Sequence, residues 1–241
     1  MKIRTQALAV ILIALAFIAN IAQSAEISGK VRVAGLTTEN IIRRNSHPSG
    51  VYRIGLAGEL ADCVVFLSDG LDNRTFSAAS NNVVVKLTPL GIEPRVIAGM
   101  AGSSLTIRND DSKIREVEFS AQDGQKRSER LLPEKASRAF PLAKPVLFMR
   151  VIADKERATV AYVSVFDHPF FAVTDGEGAF AFRGDLPDGT YGLTAAHKVL
   201  GIGSGVLKIK DGKGEVDIVI DTAKRSFAPI EPPNPRGRGG I

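Results

Sequence analysis

Six side chains could bind a soft or borderline metal or act as a nucleophile or base: Cys63, Met100, Met149, His47, His168 and His197. A metal site needs several donors to converge, and none of these six pair at ligand spacing. Cys63 lies in the apolar run Cys63-Val64-Val65-Phe66-Leu67, where a thiol behaves as a small buried hydrophobe with no cation beside it to lower its pKa. Met100 and Met149 sit in apolar, β-favouring surroundings that suit core filling. His168 precedes Pro169, and His197 stands in Ala195-Ala196-His197-Lys198; both read as structural. The sequence has no His-Glu-x-x-His motif, no cysteine pair and no phosphate-binding glycine loop. None of its three histidines accompanies a nucleophile elbow, so a Ser-His-acid triad has no support. The expectation is a chain that is not an enzyme and carries no cofactor.

The elements around these residues are short and β-favouring. Ile27 to Val33, Val64 to Leu67, Val83 to Leu87, Leu105 to Ile107, Val117 to Phe119, Val146 to Ile152 and Val160 to Phe166 read as strands separated by Gly, Asn, Asp and Pro. Val117-Glu118-Phe119 and Val163-Ser164-Val165 alternate as half-buried strands do. No long amphipathic helix interrupts them after the leader, which points to an antiparallel sandwich or barrel. Asp175 to Gly178 and Pro187-Asp188-Gly189 read as hairpin turns, with a last strand from Val216 to Ile220. Thr37 to Gly50 reads as a polar loop and Ala121 to Lys135 as a charged, solvated connection.

The ends read differently. Lys2 and Arg4 precede an apolar run from Ala7 to Ala22 and the small-residue stretch Ala22-Gln23-Ser24-Ala25, the grammar of a secretory signal, with cleavage after Ser24 or after Ala25. The run is shorter than the roughly 20 residues of a membrane span, so no stable membrane insertion is expected after cleavage. Periplasmic or secreted localisation follows. Removing Lys2 and Arg4 takes the formal charge from +5 to +3, scattered and without an aromatic-rich basic stripe, so no nucleic-acid partner is expected. The segment Glu231-Pro232-Pro233-Asn234-Pro235-Arg236-Gly237-Arg238-Gly239-Gly240 has too little apolar area to fold, and 223–241 reads as a disordered tail.

Several segments together carry a resemblance. They are Ile92-Glu93-Pro94, Gly102, Leu105-Thr106-Ile107-Arg108-Asn109-Asp110-Asp111, Ala161-Tyr162-Val163, Asp167-His168-Pro169-Phe170-Phe171-Ala172-Val173-Thr174-Asp175 and Leu186-Pro187-Asp188-Gly189-Thr190-Tyr191. The chain resembles exported bacterial proteins with a plastocyanin-like (cupredoxin) domain followed by a carboxypeptidase regulatory-like (transthyretin-like) module, some of them called methylamine utilization proteins. The resemblance implies an all-β chain with a cupredoxin-like Greek-key sandwich over 26–166, a transthyretin-like module over 167–222 and a leader over 1–25.

It also implies a copper site of two imidazoles, a thiolate and a thioether, a mixture that permits fast electron transfer. This chain departs from it at each place. The first imidazole position falls in a His-free loop around Ile114 and Arg115, and the other three fall at Ala153, Glu156 and Thr159. Two functions follow as expectations. The first is a non-catalytic binding or structural protein with an unidentified protein or surface partner, its contacts made by the loops at Thr37 to Gly50 and Ala121 to Lys135. The second, from the resemblance alone, is a periplasmic electron-transfer or copper-handling protein.

Overall fold

The computed structural model describes residues 24–46, 52–72, 74–77, 82–120, 126–153 and 159–224. The stretch to residue 23 that reads as a leader, His47, Glu156 and the stretch from residue 225 that reads as a tail lie outside the described residues. Among the described residues no helix is long and apolar enough to cross a membrane. The fold is all-β, four sheets that pack as layers, and every strand expected from the sequence is present.

The first sheet is built on β1 (Ala25–Ala34), which pairs antiparallel with β13 (Ala179–Gly184) and parallel with β16 (Lys213–Glu215) and β17 (Ile218–Asp221). The second runs in the order β12 (Phe171–Val173), β2 (Val64–Asp69), β14 (Gly189–His197), β15 (Gly201–Ile209). The third runs β4 (Gly91–Glu93), β3 (Asn82–Thr88), β6 (Ser104–Asn109), β9 (Ser137–Pro141). The fourth runs β5 (Val96–Met100), β11 (Thr159–Phe166), β10 (Val146–Ala153), β7 (Arg115–Ser120), β8 (Lys126–Leu131).

Three apolar clusters hold the layers together. Ile27, Val31, Val65, Leu67, Phe180 and Leu193 fill the space between the first two sheets. Val85, Leu105, Ile107, Val117, Val151 and Val163 fill the sandwich of the third and fourth. The continuous run Val64 to Leu67 reflects burial on both faces: Val65 and Leu67 point into the first cluster, while Val64 and Phe66 join Val96, Phe166 and Ala196 in a third cluster between the second and fourth sheets. There Phe66 and Phe166 have ring centroids 4.8 Å apart with their planes tilted by 34°, a contact that adds to the burial itself.

Strand pairing runs across the expected division at 166/167. Only 82–166 build the third and fourth sheets, whereas β1 and β2 sit in sheets completed by residues 171–221. Alternation in β1 showed which side chains turn inward but carried no information on which distant strand its backbone would meet. Ala25, assigned to the leader, is fully buried in β1 opposite Gly184.

Two connections are also more ordered than expected. The expected polar loop from Thr37 contains α1 (Thr38–Asn45): Thr37 caps it by accepting from the Asn40 amide, Arg43 and Arg44 lie in its last turn, and Ile41 docks on the first core. The charged connection from Ala121 contains β8, whose residues are mostly exposed because it is an edge strand with only Leu131 buried. The last strand begins at Ile218 rather than Val216, since the Val216 amide bonds outside it to the Ser28 carbonyl.

Candidate functional site

One end of the 82–166 sandwich holds Arg115, Ala153 and Thr159, three of the positions singled out by the resemblance. At the end of β6, Asn109 is fully buried. Its Nδ2 donates to the carbonyls of Lys113 at 2.8 Å, Leu132 at 3.0 Å and Leu131 at 3.1 Å, with its two protons shared among three acceptors. Its Oδ1 accepts from the Asp111 amide at 3.0 Å. This turns the chain sharply enough for Asp111 to point inward, where Oδ1 accepts from the Lys113 amide at 3.3 Å. Asp111 Oδ2 accepts from Arg115 Nη1 at 2.9 Å, and the same nitrogen donates to the Thr88 carbonyl at 2.7 Å.

The Asp111–Arg115 pair is buried, with side-chain exposures of 9% and 8%. Burial alone would raise the Asp111 pKa, but the Arg115 guanidinium and the amides of Lys113 and Ser112 outweigh it and hold the carboxyl below its usual range. Alongside, Arg108 grips Asp110 through Nε at 2.7 Å and Nη2 at 2.8 Å, and this hydrogen-bonded cation lowers the Asp110 pKa against a smaller opposing effect of burial.

Ala153 is fully buried at the end of β10, opposite Val117 of β7 and Thr159 of β11. The Thr159 hydroxyl donates to the Ala153 carbonyl at 3.1 Å. Gly91, at φ +139°, leaves room beside the Thr159 methyl, and Gly91 pairs with Thr88, the carbonyl partner of Arg115. Arg115, Ala153 and Thr159 therefore do converge on one end, while Ile114 is turned out and 46% exposed. Leu90, in the turn after Thr88, and Leu132, held through its carbonyl by Asn109, are also exposed there, at 88% and 61%.

A methyl group, a hydroxyl donating to a carbonyl, a buried carboxylate and the guanidinium that neutralises it do not fit a copper that asks for imidazole and thiolate donors. Among the described residues no group of three or more His, Cys, Asp or Glu side chains could hold a metal ion.

The remaining donors are dispersed. Cys63 is buried in the first core; burial, then the nearby Asp62 charge, push its thiol pKa well up against the Thr174 hydroxyl. Met149 faces the sandwich core. His197 Nδ1 accepts from the amides of Val199 at 3.3 Å and Leu200 at 3.1 Å, ordering the turn between β14 and β15. His168 is buried between Phe166 and Phe170 where the chain leaves the sandwich, and Nδ1 accepts from the Phe170 amide at 3.2 Å. Burial lowers its pKa to about 4, against a smaller opposing contribution from the Leu67 backbone. In the sequence Arg115 was singled out but not paired with Asp111. An acid at 111 and a base four residues on was the available signal, and only a buried turn makes that spacing meaningful.

No family model matches the chain, and no curated protein does. Solved structures do. Amicyanin from Paracoccus versutus is 14% identical over 37% of this chain and 85% of its own, with a TM-score of 0.31. A reduced amicyanin variant gives 14% identity over 37% and 86%, TM-score 0.32, and a Cu(I) variant 13% over 41% and 98%, TM-score 0.30. The copper belongs to those proteins.

Proposed function

We propose that the chain is an exported, non-catalytic binding protein on a cupredoxin-like scaffold that does without copper. The observation that carries the reading is the Asp111–Arg115 pair. It occupies the end of the sandwich where the resemblance implies a metal, and through Asn109 and Thr88 it secures the surrounding turns with hydrogen bonds alone. A rigid β end that presents Leu90, Ile114 and Leu132 to solvent is suited to contact rather than chemistry. This favours a contact surface at the sandwich end over the stretches Thr37 to Gly50 and Ala121 to Lys135, which carry a docked helix and an edge strand. Export rests on the leader grammar, and the burial of Ala25 in β1 favours cleavage after Ser24.

Copper titration of the purified chain tests the reading. The expected result is no blue absorption band and no rise in melting temperature. Stoichiometric binding with either signature would overturn it in favour of copper handling or electron transfer.

A further inference from the structure

At the junction of the 82–166 sandwich with the second sheet lies an open cleft of about 410 Å³, lined in part by Asn82, Val84, Ala98, Met100, Pro169 and Phe171. Two of its walls are strand edges. β4 pairs with β3 only over Lys86–Thr88, so the outer edge of β3 from Asn82 to Val85 has no neighbour among the described residues. Among the described residues β5 pairs with β11 alone, leaving its other edge without a neighbour there.

Strand alternation shows which main-chain groups face out. The Leu87 carbonyl accepts from the Asp110 amide on the β6 side, so the odd residues of β3 face β6, and Asn82 and Val84 direct N–H and C=O the other way. In β5 the Arg95 carbonyl and the Ala101 amide bond toward β11, so Ala98 directs its polar groups outward too. Among the described residues nothing pairs with these groups, and Val84 and Ala98 are only half-buried. Phe171 and Met100 supply an apolar wall.

We infer that this cleft binds a short extended peptide, which adds as a strand along the open edge of β3 and places alternate small apolar side chains against Met100 and Phe171. Unpaired donors and acceptors at strand spacing, beside apolar side chains, are what strand addition requires. The open stretch of β3 is about 13 Å long, four residues at strand rise. A second folded copy is the poorer occupant, because a stable dimer needs about 800 Å² from each partner and a recess four residues long offers far less. The inference rests on the reading of the chain as a binding protein and names the class of partner; copper uptake would overturn the copper-free scaffold and leave the cleft as it is.

The test uses the full chain and the acetylated, amidated peptide Thr-Val-Thr-Val-Thr, followed through backbone amide resonances, beside the same peptide N-methylated at its central residue. The expected result is shifts confined to Asn82–Val84, Val96–Met100 and Phe171, with binding weakened about tenfold by N-methylation. Val84→Pro and Ala98→Pro each remove one outward N–H without touching the pairing to β6 or β11, and each should weaken binding about as much. If either variant fails to fold, the N-methylated peptide still decides. The inference is overturned by no binding at millimolar peptide, by binding indifferent to N-methylation, or by the same shifts arising with protein concentration alone, which would mark the edge as a contact between copies.

Discussion

Arg115 Nη1 reaches the Asp111 carboxylate and the Thr88 carbonyl at once, tying β7 to the turn between β3 and β4. Removing one member of a buried pair strands the other's charge, whereas removing an exposed pair costs little. Arg115→Ala is expected to lower stability to urea roughly three times as much as Arg108→Ala, whose pair with Asp110 is more exposed. Equal losses would show that the pair does not secure this end.

Asp111 and Asp110 have lowered folded pKa values, so the unfolded chain takes up protons first as pH falls. Their contribution is present above the ordinary carboxylate pKa near 4 and is lost as pH falls through the lower folded values. Urea midpoints measured from pH 5 down to 2 should fall, and less steeply in Asp111→Asn.

His168 acts at higher pH. Its folded pKa of about 4 lies below the ordinary 6.5, so only the unfolded chain gains a proton between those values. Stability should decline from about pH 6.5 and level off near pH 4, by up to about 3 kcal/mol. His168→Leu should remove this slope and leave the carboxylate slope below it.

Phe166 belongs to the cluster between the second and fourth sheets and packs on Phe66 and on Phe171, at 4.8 and 5.1 Å between centroids. Phe166→Ala is expected to cost about 3–5 kcal/mol. The single unfolding transition expected for layers that share a core should separate into two, seen by comparing amide exchange in 82–165 with that in 171–221.

Gly29 stands in β1 where the Val216 carbonyl comes so close that an added Cβ would collide with backbone. Gly29→Ala should destabilise by about 1–3 kcal/mol. Loss of exchange protection should appear together in 27–33, 179–184 and 213–221, because they form one sheet; loss confined to 27–33 would argue against that pairing.

Local pattern was enough to specify the strands that alternate clearly, though not β4, β5, β8, β9, β15 or β16. Val83 to Leu87 and Val117 to Phe119 alternate because one face meets a core and the other water, and the turns at Asp175 and Asp188 follow from residues that favour them. The absence of paired Cys and His donors was likewise plain in the chain, and so was the polar tract from Asn109 to Arg115. Only the tertiary structure decided that β1 and β2 close the sheets completed by residues 171–221, that Asp111 and Arg115 meet in a buried turn, and that two strand edges face a common cleft. The physical reason is range. Alternation and turn preference are written in neighbouring residues, while sheet partners, buried charge pairs and open edges depend on backbone groups far apart in sequence that meet only when the layers stack.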